Sequence, residues 1–186
     1  MSREAILESA AQVIRQKGFH GASMADIAEA VQLQKASLYH HFSSKQDILL
    51  ELLDRALEMV AERMAQVMEQ NVPADVKLRL AMRSYLKTLS EQGDLVSVLI
   101  MEHRSLDPDY QSRHYPSRDR FENMWRDLIR EGVASGVFEC SDIPMTTRGL
   151  MGVMNWTITW YRKDGKMSID EIADHFATMF LNGLGK

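Results

Sequence analysis

One cysteine, Cys140, stands in 186 residues. No disulfide can form within such a chain, and a reducing, cytoplasmic setting is expected. No eighteen apolar residues run together, so the sequence offers no transmembrane helix. The opening "MSREAILESA" has none of the apolar core of a secretory signal. Prolines number four, at 73, 108, 116 and 144, and with a few glycines they punctuate long amphipathic runs. Strand-like alternation is scarce, internal repeats and low-complexity segments are missing, and helical periodicity dominates.

The chemistry of catalysis is equally sparse. There is no glycine-rich phosphate loop and no nucleophile elbow. His40 and His41 are adjacent, about 100° apart on a helix, so they cannot form the one-face pair of an i,i+4 metal site. His103 and His114 lack a partner at ligand spacing, and Cys140 has no histidine near it in sequence. Neither enzymatic activity nor a metal or cofactor is expected.

What is present reads as a soluble globular protein, 45% hydrophobic and 26% charged. The net charge of −4 argues against a wholly basic nucleic-acid coat. In the first fifty residues Arg3, Arg15, Lys17, Lys35 and Lys45 balance five acids, so the acid excess lies downstream. The N-terminal part is therefore the less repulsive toward phosphate.

The first helical run carries Ile6, Ala10, Val13 and Ile14 on one face and stops at Lys17-Gly18. Ser23 with Asp26, and Ser44 with Asp47, each pair a capping hydroxyl with an acid three residues on. They bracket a short helix from 24 to about 31, a turn "QLQ", and a second short helix from 35 to about 42. A long helix follows to about 70, with Leu49, Leu52, Leu53, Ala56, Leu57 and Val60 on one stripe. Further helices are expected near 74–91, 94–105, 109–135, 145–162 and 168–183, the last opened by Ser168 and Glu171. The stretch "GVFECSDIP" is a loop in which residues 137–139 could be extended.

Two short helices joined by a tight turn make a helix-turn-helix unit, whose second helix enters the DNA major groove. Ala28 is small where the helices would cross, and Ile27, Val31, Leu33, Leu38 and Phe42 supply the buried side. Gln34, Lys35, Ser37, Tyr39, His40 and His41 are left outward, with chemistry suited to phosphates and base edges. A solvated surface turn would show the same spacing.

The run "ILESAAQVIRQKGFHGASMADIAEAVQLQKASLYHHFSSKQDILLELLDRAL" closely resembles the N-terminal DNA-binding region of TetR-family transcriptional repressors. Gly18-Phe19, Ser23, Ile27-Ala28, Lys35, Leu38-Tyr39, His41-Phe42 and Lys45 carry the likeness. The resemblance implies an all-α homodimer with a helix-turn-helix DNA-binding domain at 1–45 and an effector-binding and dimerisation domain at 46–186. By it, Tyr39 and Lys45 hold phosphates with help from His40, while Gln34, Lys35, Ala36 and Ser37 reach base edges. Ser23, with Met24 beside it, directs the start of the second helix at a phosphate, and His41 braces the long helix. The family often has glycine where Gln32 stands, so a left-handed Gln32 is expected. A palindromic operator is the implied partner.

The stretches 105–138 and 150–184 resemble the C-terminal domains of TetR-family regulators of lipid, steroid and aromatic-acid catabolism. That resemblance implies a hydrophobic effector such as an acyl-CoA. A regulator of an efflux pump responding to hydrophobic drugs is the alternative within the family, and a helical adaptor that binds no DNA the alternative outside it. Eleven of the thirteen methionines lie at or after Met59. Met101, Met124, Met151 and Met154, with Trp125, Asn155 and Trp156, either line an adaptable pocket or fill a core. Arg104 and Arg118 either meet a CoA phosphate or belong to a mixed-charge surface. A turn at Asp164-Gly165 joins the last two helices, which can pair with those of a second copy. Trp160, Ile172, Phe176 and Phe180 are the candidates for that seam, with the monomer core as the other home of the two phenylalanines.

Overall fold

The computed structural model describes residues 2–184, and among these every regular element is helical. The helices are α1 (Arg3–Lys17), α2 (Met24–Ala30), α3 (Lys35–His41), α4 (Lys45–Met68), α5 (Ala74–Glu91), α6 (Gly93–Glu102), α7 (Pro108–Ala134), α8 (Ile143–Trp160) and α9 (Ile169–Leu184). The expected all-α architecture is present, with boundaries shifted by up to three residues, the largest at the end of α6, where residues 103–105 form a 3-10 turn. No helix among the described residues is long and apolar enough to cross a membrane.

Local chemistry sets the starts and stops. Ser2 Oγ accepts the Ala5 N–H at 3.2 Å to open α1, which buries Ile6, Leu7, Ala10, Ala11 and Ile14 before ending at Gly18. Ser44 Oγ accepts the Asp47 N–H at 3.0 Å to open α4. Asp142 caps α8 through the Met145 N–H, and Ser168 and Glu171 exchange bonds to open α9. Each bond satisfies a backbone donor that the helix itself leaves orphaned.

Residues 137–139 form no strand. The Val137 and Phe138 N–H groups both turn back to the Gly132 carbonyl, at 2.9 and 3.0 Å. The Phe138 ring rests on Gly132 so closely that an added Cβ would lie 2.0 Å from it. Gly136, at φ 72°, makes that reversal possible.

The chain divides into two compact units, Met1–Glu58 with Gln92–Ser117, and Met59–Glu91 with Arg118–Lys186. In the first, α1 packs on α2 and α6, and α2 on α3. Arg15 pairs with Asp94, and the Phe19 N–H donates to Glu102 Oε1 at 3.2 Å. The Gln46 carboxamide donates to the Ser105 carbonyl and accepts the Asp107 N–H, at 3.1 and 3.2 Å. The Tyr110 hydroxyl donates to Asp47 at 2.8 Å. Buried His114 has Nδ1 3.0 Å from Asp54. The helices of the 1–45 stretch thus share their unit with residues 92–117, a grouping that local periodicity does not reveal.

In the second unit α5 packs on α9 and α8. Leu78, Met82, Leu86, Phe121, Trp125, Leu128, Ile129, Leu150 and Met154 are buried there. Lys77 and Glu131 pair at 2.8 Å, and Arg83 and Asp174 at 2.7 Å.

Candidate functional site

The candidate reading head is built on the α1–α2 corner. Ser23 and Asp26 form a reciprocal capping box: Ser23 Oγ accepts the Asp26 N–H at 3.1 Å, and Asp26 accepts the Ser23 N–H at 2.8 Å. Lys17, in the last turn of α1, reaches Asp26 at 2.5 Å. The Lys17 ammonium and the Ser23 donors together hold the Asp26 carboxyl well below the usual carboxylate range. Residue 23 therefore fixes where α2 begins, while its own side chain stays committed to the cap.

The turn between α2 and α3 is a Schellman motif. The Leu33 N–H bonds the Ala28 carbonyl at 2.9 Å, and the Gln32 N–H bonds the Glu29 carbonyl at 3.0 Å. The position between them must be left-handed, and Gln32 has φ 55°. The end of α7 uses the same pair of bonds, Val137 to Gly132 and Gly136 to Val133, with glycine at the left-handed place. Gln32 bears a steric penalty that Gly136 avoids.

α3 buries Leu38, and its C-cap Phe42 is buried with it. Gln34 is the N-cap but makes no side-chain cap bond. Gln34, Lys35, Ala36, Tyr39 and His40 are exposed, and Ser37 is half-buried. Tyr39 is 46% exposed, with the Lys35 ammonium 5.9 Å from its ring centre. Lys35, Ala36, Tyr39 and His40 share the outward face of this seven-residue helix, and Gln34 precedes it as the cap. Met24, the first residue of α2, is buried. Lys45 is turned inward: its ammonium donates to the Phe19 and Ala22 carbonyls, each at 2.5 Å, and sits 4.3 Å from the Phe19 ring centre. It braces the α1–α2 corner with two of its three protons.

Sequence patterns did not single out Arg3. Its guanidinium forks onto Glu51 at 2.9 and 3.1 Å, donates to the His41 carbonyl, and lies 4.0 Å over the Phe42 ring. One side chain thereby ties the C-terminal end of α3 to α1 and α4. Beside it a concavity of about 610 Å³ is walled by Asp47, Glu51, Asp54, Glu58, Arg55 and Arg113, among others. Its alternating charges do not suit an apolar effector.

The effector candidates fall in different places. Met101, 59% exposed, and Arg104, also exposed, belong to the first unit. Arg118, Trp125, Met151, Met154, Asn155 and Trp156 belong to the second. Of these, Trp125 and Met154 are fully interior, and Asn155 accepts the Tyr85 hydroxyl at 2.6 Å. Burial pushes the Tyr85 phenol well above its ordinary pKa. Met124, Met151 and Arg118 are half-buried. Trp156 is 66% exposed, two positions and half a helical turn from Met154.

Among the dimerisation candidates, Ile172 is buried in its own chain. Phe176 and Phe180 are half-buried, and Phe176 meets the edge of Trp160 at 6.5 Å. Met145, Gly149, Gly152, Trp156 and Trp160 form an exposed stripe along α8 at helical spacing. The glycines at 149 and 152, opposite buried Leu150 and Met154, are the signal that could have located it. No group of three or more metal-ligating side chains occurs among the described residues.

Residues 6–52 match the family described as bacterial regulatory proteins, tetR family, and residues 71–184 match the tetracyclin repressor-like C-terminal domain. Among solved structures, the TetR family transcriptional regulator PfmR from Thermus thermophilus is 33% identical, with TM-score 0.88 over 97% of this chain and 99% of that one. AibR, solved in complex with isovaleryl coenzyme A and operator DNA, is 25% identical, with TM-score 0.88 over 95% of this chain and 96% of that one. The HTH-type transcriptional repressor KstR2 of Mycolicibacterium smegmatis is 24% identical over 184 residues, 98% of this chain and 90% of the repressor. The chain that presents Lys35, Tyr39 and His40 on a capped helix-turn-helix belongs to the TetR family of bacterial transcriptional regulators.

Proposed function

We propose that this regulator is a repressor that grips a palindromic operator as a homodimer and releases it on binding an acyl-CoA thioester. The outward face of α3 carries the DNA-binding part of this reading. Gln34, Lys35, Ala36 and Ser37 stand at its leading end for base edges, and Tyr39 and His40 stand behind them for phosphates. Its underside is pinned by Leu38, Phe42 and the Arg3 clamp. Two such heads set one helical turn apart, about 34–36 Å, favour a two-fold symmetric site. The exposed Trp156 and Trp160 stripe supports pairing of two copies, because apolar surface of this kind is costly to leave in water. Trp160, Phe176 and Phe180 would extend that seam, with Ile172 packing behind them.

AibR carries a CoA thioester and operator DNA in one complex, which supports the same pairing of ligand class and partner here. Trp125, Met151, Met154 and Asn155 would then surround the acyl group, with Arg118 toward the CoA phosphates. The effector works by preferring a conformer that holds the heads at the wrong spacing, and its leverage equals its differential affinity for the two states.

Selection of duplexes from a random pool, followed by anisotropy titration with and without octanoyl-CoA, tests both parts. A two-fold symmetric consensus, a complex containing two chains and release by octanoyl-CoA are expected. An asymmetric consensus would overturn the dimeric reading head. Release by hydrophobic drugs but by no member of an acyl-CoA panel would overturn the effector class in favour of efflux control.

A further inference from the structure

The second unit buries polar atoms that its own chain does not use. Trp125 is 1% exposed, yet its indole N–H has no hydrogen-bond partner. Its ring sits in an aromatic trio, 6.2 Å from Tyr85 and 6.4 Å from Phe121, centre to centre. The Tyr85 hydroxyl in the same trio does find a partner, Asn155. Thr147 behaves likewise. Thr88 and Thr157 are equally buried, and their hydroxyls close onto the Ser84 and Val153 carbonyls of their own helices at 2.8 and 3.2 Å. The Thr147 hydroxyl makes no such bond. Buried donors are paired in nearly all native structures, and an exception calls for a physical cause.

An indole N–H is a donor only, so what it awaits must be an acceptor. A carboxylate or phosphate would have to be stripped of water beside Phe121 and the Tyr85 ring, at high cost. A neutral carbonyl meets a much smaller penalty, which the indole N–H bond offsets. We infer that the Trp125 N–H is held open for the thioester carbonyl of the effector, with Thr147 as a second polar contact in the same unit. This assignment rests on the acyl-CoA reading above and names the atom that would distinguish a thioester from the corresponding free acid or hydrocarbon chain.

The test pairs a change in the protein with a change in the ligand. Calorimetric titration of the full-length protein compares octanoyl-CoA with S-octyl-CoA, the thioether that lacks the carbonyl, and with octanoate. Wild type should bind the thioester about two- to thirteenfold more tightly than the thioether, the range one net hydrogen bond gives. Trp125→Phe should bind the two alike, since any cavity the substitution leaves affects both ligands equally and cancels in the cycle. Equal wild-type affinity for the two overturns the Trp125 assignment and leaves the acyl-CoA reading standing, and so does a preference that survives in Trp125→Phe. Tighter binding of octanoate than of octanoyl-CoA also overturns the assignment. If wild type binds neither CoA ligand, the effector reading fails and takes the assignment with it. Because the wild-type comparison needs no variant, a Trp125→Phe protein that fails to fold does not remove the test.

Discussion

Arg3 offers a direct probe of how the reading head is held. Replacing it with methionine removes the fork onto Glu51, the bond to the His41 carbonyl and the stacking on Phe42. Arg3 and Glu51 are 49% and 36% exposed, so after solvent screening their ion pair is worth only about 0.5 kcal/mol. The charge-assisted bond to the carbonyl adds about 1 kcal/mol, and the contact with the ring about 0.5 kcal/mol at an exposed site. These share one side chain and do not simply add. A loss of about 1–1.5 kcal/mol therefore bounds the effect, or roughly five- to thirteenfold in DNA affinity per head if α3 must be re-ordered on binding. Anisotropy titrations across a salt series should show Arg3→Met weaker on every duplex with an unchanged salt slope, because a positioning residue neutralises no phosphate. Arg3→Lys should recover little, since an ammonium cannot fork or stack as guanidinium does. Glu51→Gln gives the decisive sign. If Arg3 is a clamp, that change weakens DNA binding; if Arg3 is a phosphate contact restrained by Glu51, the change strengthens it. A salt slope that falls by about one in Arg3→Met, or tighter binding by Glu51→Gln, would refute the clamp.

Two further outcomes concern stability. Gln32→Gly relieves the left-handed strain at φ 55° and should stabilise by about 0.5–1 kcal/mol after glycine's entropy is counted. Calorimetry should show that as a rise of about 2 °C in Tm, and a fall would mean that the Gln32 side chain makes a compensating contact. Asp26, held low by Lys17 and Ser23, and Glu171, held low by Ser168, contribute stability that is complete above the ordinary carboxylate range. That contribution is lost as pH falls through the range toward their depressed values. The acid limb of a Tm-against-pH curve should flatten in Asp26→Asn, and an unchanged limb would remove Asp26 from the account.

Local grammar was readable where its cause is local. The boxes at Ser23–Asp26 and Ser168–Glu171, and the Ser44 cap, announce three helix starts because the bonds span only three residues. The left-handed Gln32 was readable by another route, through the family resemblance, in which glycine is usual at that position. Lys45 shows the limit, since its acceptors at Phe19 and Ala22 lie more than twenty residues away and nothing in the neighbouring sequence encodes that reach. Met101 has the composition of a pocket residue but lies exposed in the first unit, whereas Trp125 and Met154 are buried in the second. Trp156 and Asn155 are neighbours in sequence, yet the 100° step between them sends one toward solvent and the other toward the Tyr85 hydroxyl. Arg3 carried no periodic signal at all, because its importance comes from three partners gathered by packing.

The three tryptophans occupy three environments within one unit: Trp125 is 1% exposed, Trp160 45% and Trp156 66%. Intrinsic fluorescence therefore separates into a component that acrylamide cannot reach and two that it can. An acyl thioester at the indole N–H would change the unreachable emission alone, whereas pairing of two copies would shield the reachable ones. On the proposed effector site and seam, the unlabelled protein would carry separate optical channels for effector occupancy and for assembly, and single-tryptophan variants would isolate each one.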